Sequence, residues 1–344
     1  MPDLWRRRAV TLSVAAAGAG LFLLAGLPLP LLLGPMLACL VAALAGTRLA
    51  DFGKAGTFLR TFLGVEVGAS ITPGVVAGLP GMAVSLAFVP VFILVIGAVG
   101  YPLFRRGFGF DHPTSWYAAM PGGLQDMILF GQQAGGDVRA LSLIHATRVL
   151  AIITLAPILM GMIWQVDLTR APGQPAAEMD PVQIGLMLAC GLAGWKIAER
   201  LRLFGASILG PMILTAAASL SGLIDQRPPA EMIWAAQLFI GLSVGVKYTG
   251  ITAREIRVDV GAGLVYAAFL ALISIAFIEA IALTGTAPPL DAFLAFLPGG
   301  QAEMVVIAIL AGADLAYVVS HHLLRLVLVI TLAPLAARIF GRGG

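Results

Sequence analysis

Apolar residues along this chain fill whole segments instead of marking one helix face or alternating as in a strand. In the first half they occupy about 9–27, 29–47, 56–79, 82–104 and 138–163. In the second half they occupy about 182–198, 204–224, 232–253, 259–284 and 315–339. Each stretch approaches the ~20 residues that carry a helix across ~30 Å of hydrocarbon. Two further stretches, 114–135 and 291–312, are broken at Pro121-Gly122-Gly123 and Pro298-Gly299-Gly300. The pattern predicts an all-α membrane protein of about ten transmembrane helices, with one Pro-Gly-Gly re-entrant or broken helix in each half.

The two halves are copies. Aligned without gaps at an offset of 177, residues 121–157 and 298–334 share 14 of 37 positions, including His145/His322 and Arg148/Arg325. Asp126 aligns with Glu303, so the acid is kept. Upstream, Gly64-Val65-Glu66-Val67-Gly68 matches Gly241-Leu242-Ser243-Val244-Gly245, and Gly34-Pro35-Met36 matches Gly210-Pro211-Met212. Repeats divide the chain into 1–164, a polar linker 165–181, and 182–344.

Composition agrees with the membrane reading. Of 344 residues, 59% are hydrophobic and 11% charged, against about 25% charged in soluble domains; mean hydropathy is +0.96. The formal charge of +3 comes from cations scattered at segment ends, not from a basic face, so nucleic acid is not an expected partner. The bilayer is. The basic N-terminus followed by an apolar run resembles a signal peptide, but without a clear cleavage site it is read as a first helix. Cys39 and Cys190 lie in apolar runs as small core residues.

Lys and Arg placement sets the orientation. Arg6–Arg8, Arg48, Lys54, Arg105, Arg106, Lys196, Arg200, Arg202, Arg254, Arg257, Arg338 and Arg342 fall on one side only if both Pro-Gly-Gly segments enter and leave on the same side. Two inverted five-helix repeats follow, with both termini cytoplasmic. Arg170 and Arg227 are exceptions to the rule. Inverted repeats with interrupted helices are the architecture of secondary transporters, whose freed backbone groups act as ligands.

Candidate binding residues gather around the breaks. They are Pro121, Gly122, Gly123, Gln125 and Asp126 in the first repeat, and Pro298, Gly299, Gly300, Gln301 and Glu303 in the second. The alternative for the Pro-Gly-Gly segments is a tight turn between packed helices. Asp126 and Glu303 read equally as caps of the following half-helix or as proton or cation sites. His145 with Arg148 and His322 with Arg325 are spaced i,i+3 on one helix face, roughly 12 and 16 Å into the bilayer from Asp137 and Asp314, which read as helix N-caps with a site role as the alternative. They either fix an anionic group and relay a proton, or form a polar clasp, Arg148 with Asp126 and Arg325 with Glu303. His321 faces another way. Glu66 and Lys247 are a candidate ion pair across the repeats. There is no G-x-S-x-G, no P-loop and no Cys/His metal spacing, so no enzyme activity, metal or cofactor is expected. A copper site would need His145 and His322 to converge.

The blocks PGGLQDM…GGD…H..R and PGGQAEM…GAD…H..R, with the G-P-M segments, resemble the bacterial AbrB membrane-protein family with its internal AbrB duplication. The resemblance covers nearly the whole chain. It implies a multi-pass inner-membrane protein. Members are labelled ammonia monooxygenase or regulator of gene expression, and the family is distinct from the small DNA-binding regulators that share the name. The expected function is transport of a small anionic or zwitterionic solute coupled to H⁺ or Na⁺. The alternatives are a membrane sensor or regulator without transport, and, least supported, the monooxygenase of the label. Assembly as a homodimer stays open.

Overall fold

The computed structural model describes residues 2–169, 171–203 and 205–340. Arg170 and Arg342 lie outside them, as do the side chains of Gln125, Gln301 and Arg338. The described residues are helical, with no strand among them. The first half contains α1 (Pro2–Leu24), α2 (Pro30–Leu44), α3 (Lys54–Ser70), α4 (Ala83–Pro102), α5 (His112–Ala119), α6 (Leu124–Gln133) and α7 (Val138–Trp164). The second half contains α8 (Pro181–Arg200), α9 (Ala206–Leu220), α10 (Ala230–Val246), α11 (Gly261–Thr284), α12 (Pro289–Phe296), α13 (Gln301–Ala311) and α14 (Leu315–Phe340). Lengths recur in order: 15 and 15 residues for α2 and α9, 17 and 17 for α3 and α10, 8 and 8 for α5 and α12.

Among the described residues, six helices are long and apolar enough to cross a membrane: Asp3–Leu24, Pro80–Gly107, Val138–Trp164, Pro181–Arg200, Ala253–Thr284 and Leu315–Ala337. The apolar pattern predicts about ten. The difference arises where turn residues shorten the helices. The stretch 56–79 ends as a helix at Ser70 before Pro73, and the stretch 29–47 loses its ends to Pro30 and to Gly46 at φ +86°. Helices of 15–17 residues rise only ~22–26 Å.

Contacts group the chain differently from its two sequence halves. One compact unit comprises Met1–Leu79, Thr154–Gly250 and Ala302–Ala316. The other comprises Pro80–Ile153, Ile251–Gln301 and Tyr317–Gly344. Each therefore draws helices from both halves.

Glycine sets the packing of the first unit. A Cβ on Gly18 or Gly34 would overlap the other's backbone, and the same holds for Gly194 and Gly210. So α1 crosses α2, and α8 crosses α9, at backbone contact. Gly64 and Gly68 of α3 press on the carbonyls of Ile208 and Met212 in α9, while Gly241 and Gly245 of α10 press on those of Leu32 and Met36 in α2. Each half thus lends its third helix to the other half's second. Between apolar helices in lipid such close approach is the main source of attraction, because burying apolar surface gains little there.

These contacts have a direct test. Gly34→Val should cost at least ~1–3 kcal/mol from overpacking and lower the melting temperature in detergent. Gly20→Val, where a Cβ meets nothing within 4 Å, should leave melting unchanged. Equal melting of the two variants would refute the close crossing.

Candidate functional site

The second unit holds both helix breaks. In the first, α5 begins at the cap Asp111, whose carboxylate accepts from Thr114 N at 2.7 Å, and ends at Ala119 because Met120 turns extended ahead of Pro121. The chain resumes as α6 after Gly123. At the far end of α6, Asp137 N donates to Thr114 Oγ1 at 2.8 Å, so the segment returns to where it began. Asp137 in turn accepts from Arg139 N and Ala140 N at 2.8 and 3.0 Å, capping α7.

Ending a helix inside apolar surroundings leaves its last carbonyls without partners. Three side chains satisfy them. His145 Nε2 lies 3.1 Å from Tyr117 O. Tyr266, from α11, donates to Ala119 O. Arg148 donates through Nη1 to Met120 O at 3.3 Å and through Nη2 to Gly122 O at 3.2 Å, straddling Pro121.

The second break repeats this set of contacts. His322 Nε2 lies 2.9 Å from Leu294 O. Arg325 donates to Leu297 O at 3.4 Å and to Gly299 O at 3.3 Å, straddling Pro298. In both halves the separations are 28 residues for His, and 28 and 26 for Arg. Arg325 Nη2 also reaches His322 Nδ1 at 3.0 Å. An arginine only donates, so His322 accepts at Nδ1 and carries its proton on Nε2, toward Leu294 O. Ser274 Oγ donates to Phe296 O at 3.0 Å, the position equivalent to Ala119.

Arg148 and Arg325 are 1% and 5% exposed. Each sits at the C-terminal end of a half-helix, where the helix dipole favours a cation. The guanidinium of Arg148 is engaged by the break itself, and Asp126 is half-buried in the first turn of α6. Glu303 falls in the part of α13 grouped with the first unit. Gly123, the residue ahead of α6, offers no side-chain cap.

His321 turns away from the clamp. Its Nδ1 is 2.8 Å from Tyr317 O and its Nε2 is 3.0 Å from Ser85 Oγ. Among the described residues, no three His, Cys, Asp or Glu side chains group so as to hold a metal ion. Tyr266, Ser274 and Ser85 were not among the sequence candidates. The available signal was a hydroxyl inside a largely apolar helix.

In the first unit Glu66 is 1% exposed and has Arg227 Nη1 at 3.9 Å, not Lys247. The reason is axial position. Glu66 lies one turn from the end of α3, beside the loop that carries Arg227 into α10. Lys247 caps the far end of α10, ~25 Å along its axis. The residue aligned with Glu66, Ser243, accepts from Arg60 Nη2 at 2.9 Å.

Arg325→Lys keeps the charge but loses the fork that spans two carbonyls. With about 1.5–3 kcal/mol for a charge-assisted bond, amide exchange in the peptide spanning 294–300 should quicken about 10- to 100-fold. Unchanged exchange would show that the arginine does not hold the break.

The sequence model of the family described as "Transition state regulatory protein AbrB" matches residues 31–341. The chain is similar to "Putative regulator AbrB" of Escherichia coli (strain K12), with 28% identity over 92% of this chain and 91% of that protein. It is also similar to "Uncharacterized protein YhjN" of Bacillus subtilis (strain 168), with 26% identity over 97% of this chain and 92% of that protein. The two clamped Pro-Gly-Gly breaks therefore sit in a chain that belongs to the AbrB family.

Proposed function

We propose that this AbrB-family protein is a secondary transporter of the bacterial inner membrane, moving a small anionic or zwitterionic solute with H⁺ or Na⁺. In this reading the halves are two inverted repeats of five crossings, both termini are cytoplasmic, and the broken segments are re-entrant. One observation carries the proposal: two helix breaks in one unit, each held by an Arg–His pair at the same spacing. Irregular backbone at membrane depth persists only where protein or water covers it. In transporters such breaks are where substrate binds, half-helix N-termini facing anions.

Charge supports an anionic group. Two buried guanidiniums stand at the two breaks, and the N-terminal amides of α6 add partial positive charge. Asp126, near the same break, is the candidate carboxylate for the coupling cation. The chemistry needed is binding and release, so no reaction is assigned to the protein and no cofactor is called for.

A second reading is a sensor whose occupancy is read by a partner. The name of the E. coli relative favours it. Flux separates the two. Purified protein in liposomes, given a pool of bacterial metabolites and an imposed proton or sodium gradient, should accumulate at least one anionic or zwitterionic solute. An ionophore should abolish the accumulation. Arg148→Lys, retaining its fold, should lower the rate at least about tenfold, a change of ~1.4 kcal/mol. Solute binding without gradient-driven uptake would overturn transport in favour of sensing.

A further inference from the structure

One well-formed cavity of the second unit lies apart from the clamp hydrogen bonds. It has about 620 Å³ and runs between α4, α5 and α14, within the range of small-molecule sites. Its walls are apolar, with Pro90, Gly97 and Ala98 on one side and Leu328, Val329 and Leu332 on the other. Met120, the first residue of the first break, lies in the wall, and a Cβ on Gly97 would stand 3.2 Å from its Cε.

Only one end of the cavity is polar. There Tyr101 OH and His112 Nδ1 share a hydrogen bond of 2.8 Å, and their rings meet edge to face with centroids 5.5 Å apart. Trp116 packs against Tyr101 and donates its indole N–H to Ala333 O at 3.0 Å. With the other polar groups paired, His112 Nε2 is the ring nitrogen left to meet a ligand. Just past this end of α4 come Arg105 and Arg106, both exposed. Arg105 donates to Phe110 O at 2.9 Å, which holds it beside the chain leading to His112. Asp111, the nearby carboxylate, is engaged in capping α5.

We infer that this cavity holds one acyl chain of an anionic phospholipid, with the phosphate headgroup at Arg105 and Arg106. The inference rests on the membrane reading but not on transport. Length supports it: from Tyr101 to Pro90 the wall of α4 runs ~16 Å, about the depth of one ~15 Å leaflet. The chemistry changes along that length as a lipid's does, from cationic groups through aromatic rings at the interface to a purely apolar interior. Arg105 and Arg106 belong to the face assigned to the cytoplasm, where anionic lipid attracts basic residues by about 1 kcal/mol each. An occupant would touch Met120, so a bound lipid would brace the break whose carbonyl Arg148 holds.

Native mass spectrometry of delipidated protein tests this, using phosphatidylglycerol and phosphatidylcholine with identical chains. The protein should retain one phosphatidylglycerol with a preference of about tenfold or more over phosphatidylcholine. Arg105→Gln with Arg106→Gln should erase that preference. Ala98→Trp, at an exposed position that fills the cavity, should lose the retained lipid while keeping its helicity. If that variant does not fold, Leu332→Trp, at a residue 53% exposed, serves instead. Equal retention of the two lipids by the unaltered protein, or undiminished retention with the cavity filled, would overturn the inference. Neither outcome depends on solute flux, so failure here is separable from failure of transport.

Discussion

A helix that stops in the middle of an apolar bundle leaves carbonyls that nothing nearby can solvate, and the second unit is arranged around meeting that cost. Each unmet group would cost roughly 1–3 kcal/mol. The answer in both halves is one arginine whose fork spans the carbonyls on either side of a proline, with a histidine one turn earlier for the preceding turn. A charge that would be prohibitive alone becomes tolerable at a helix C-terminus with two carbonyls before it. The arginines hold backbone carbonyls in place of the acidic partners a clasp would use, and bracing and anion binding are compatible in this arrangement. The arginines brace the breaks, and the positive charge that bracing requires is what would draw an anion.

The first unit solves a different problem. Its helices approach through glycine, and α3 and α10 pack on helices of the opposite half. This exchange makes each half incomplete without the other. It also explains why compact units and sequence halves do not coincide. Where the unit buries charge, it does so sparingly: Glu66 with Arg227 on one side, and at the aligned position a serine with Arg60.

The helices were legible because apolar runs and turn residues are local features. The clamp residues were legible because duplication retained Pro-Gly-Gly, His and Arg at one spacing. Their partners were not. A backbone carbonyl has no letter in a sequence, so His145 and Arg148 could be placed on one face without revealing that they reach Tyr117, Met120 and Gly122. Ser274 was hidden for the opposite reason, since a serine in an apolar helix usually bonds its own preceding turn, and Tyr266 because the partner of a buried phenol is set by packing. Glu66 was matched to Lys247 because both stand inside apolar runs. Its cation is Arg227, a loop residue that broke the charge rule and whose position depends on how two helices end.

The central claim is that the chain carries two oppositely threaded copies, each with a broken helix that returns to the side it entered. Single-cysteine labelling from either side of the membrane tests it most directly, after Cys39 and Cys190 are replaced by serine. Gly107→Cys and Gln133→Cys bracket the first break, and Thr284→Cys and Ala311→Cys bracket the second. The account predicts that the first two react from the cytoplasmic face and the last two from the opposite face. Reaction of either bracketing pair from two different faces, or of all four from one face, would contradict it.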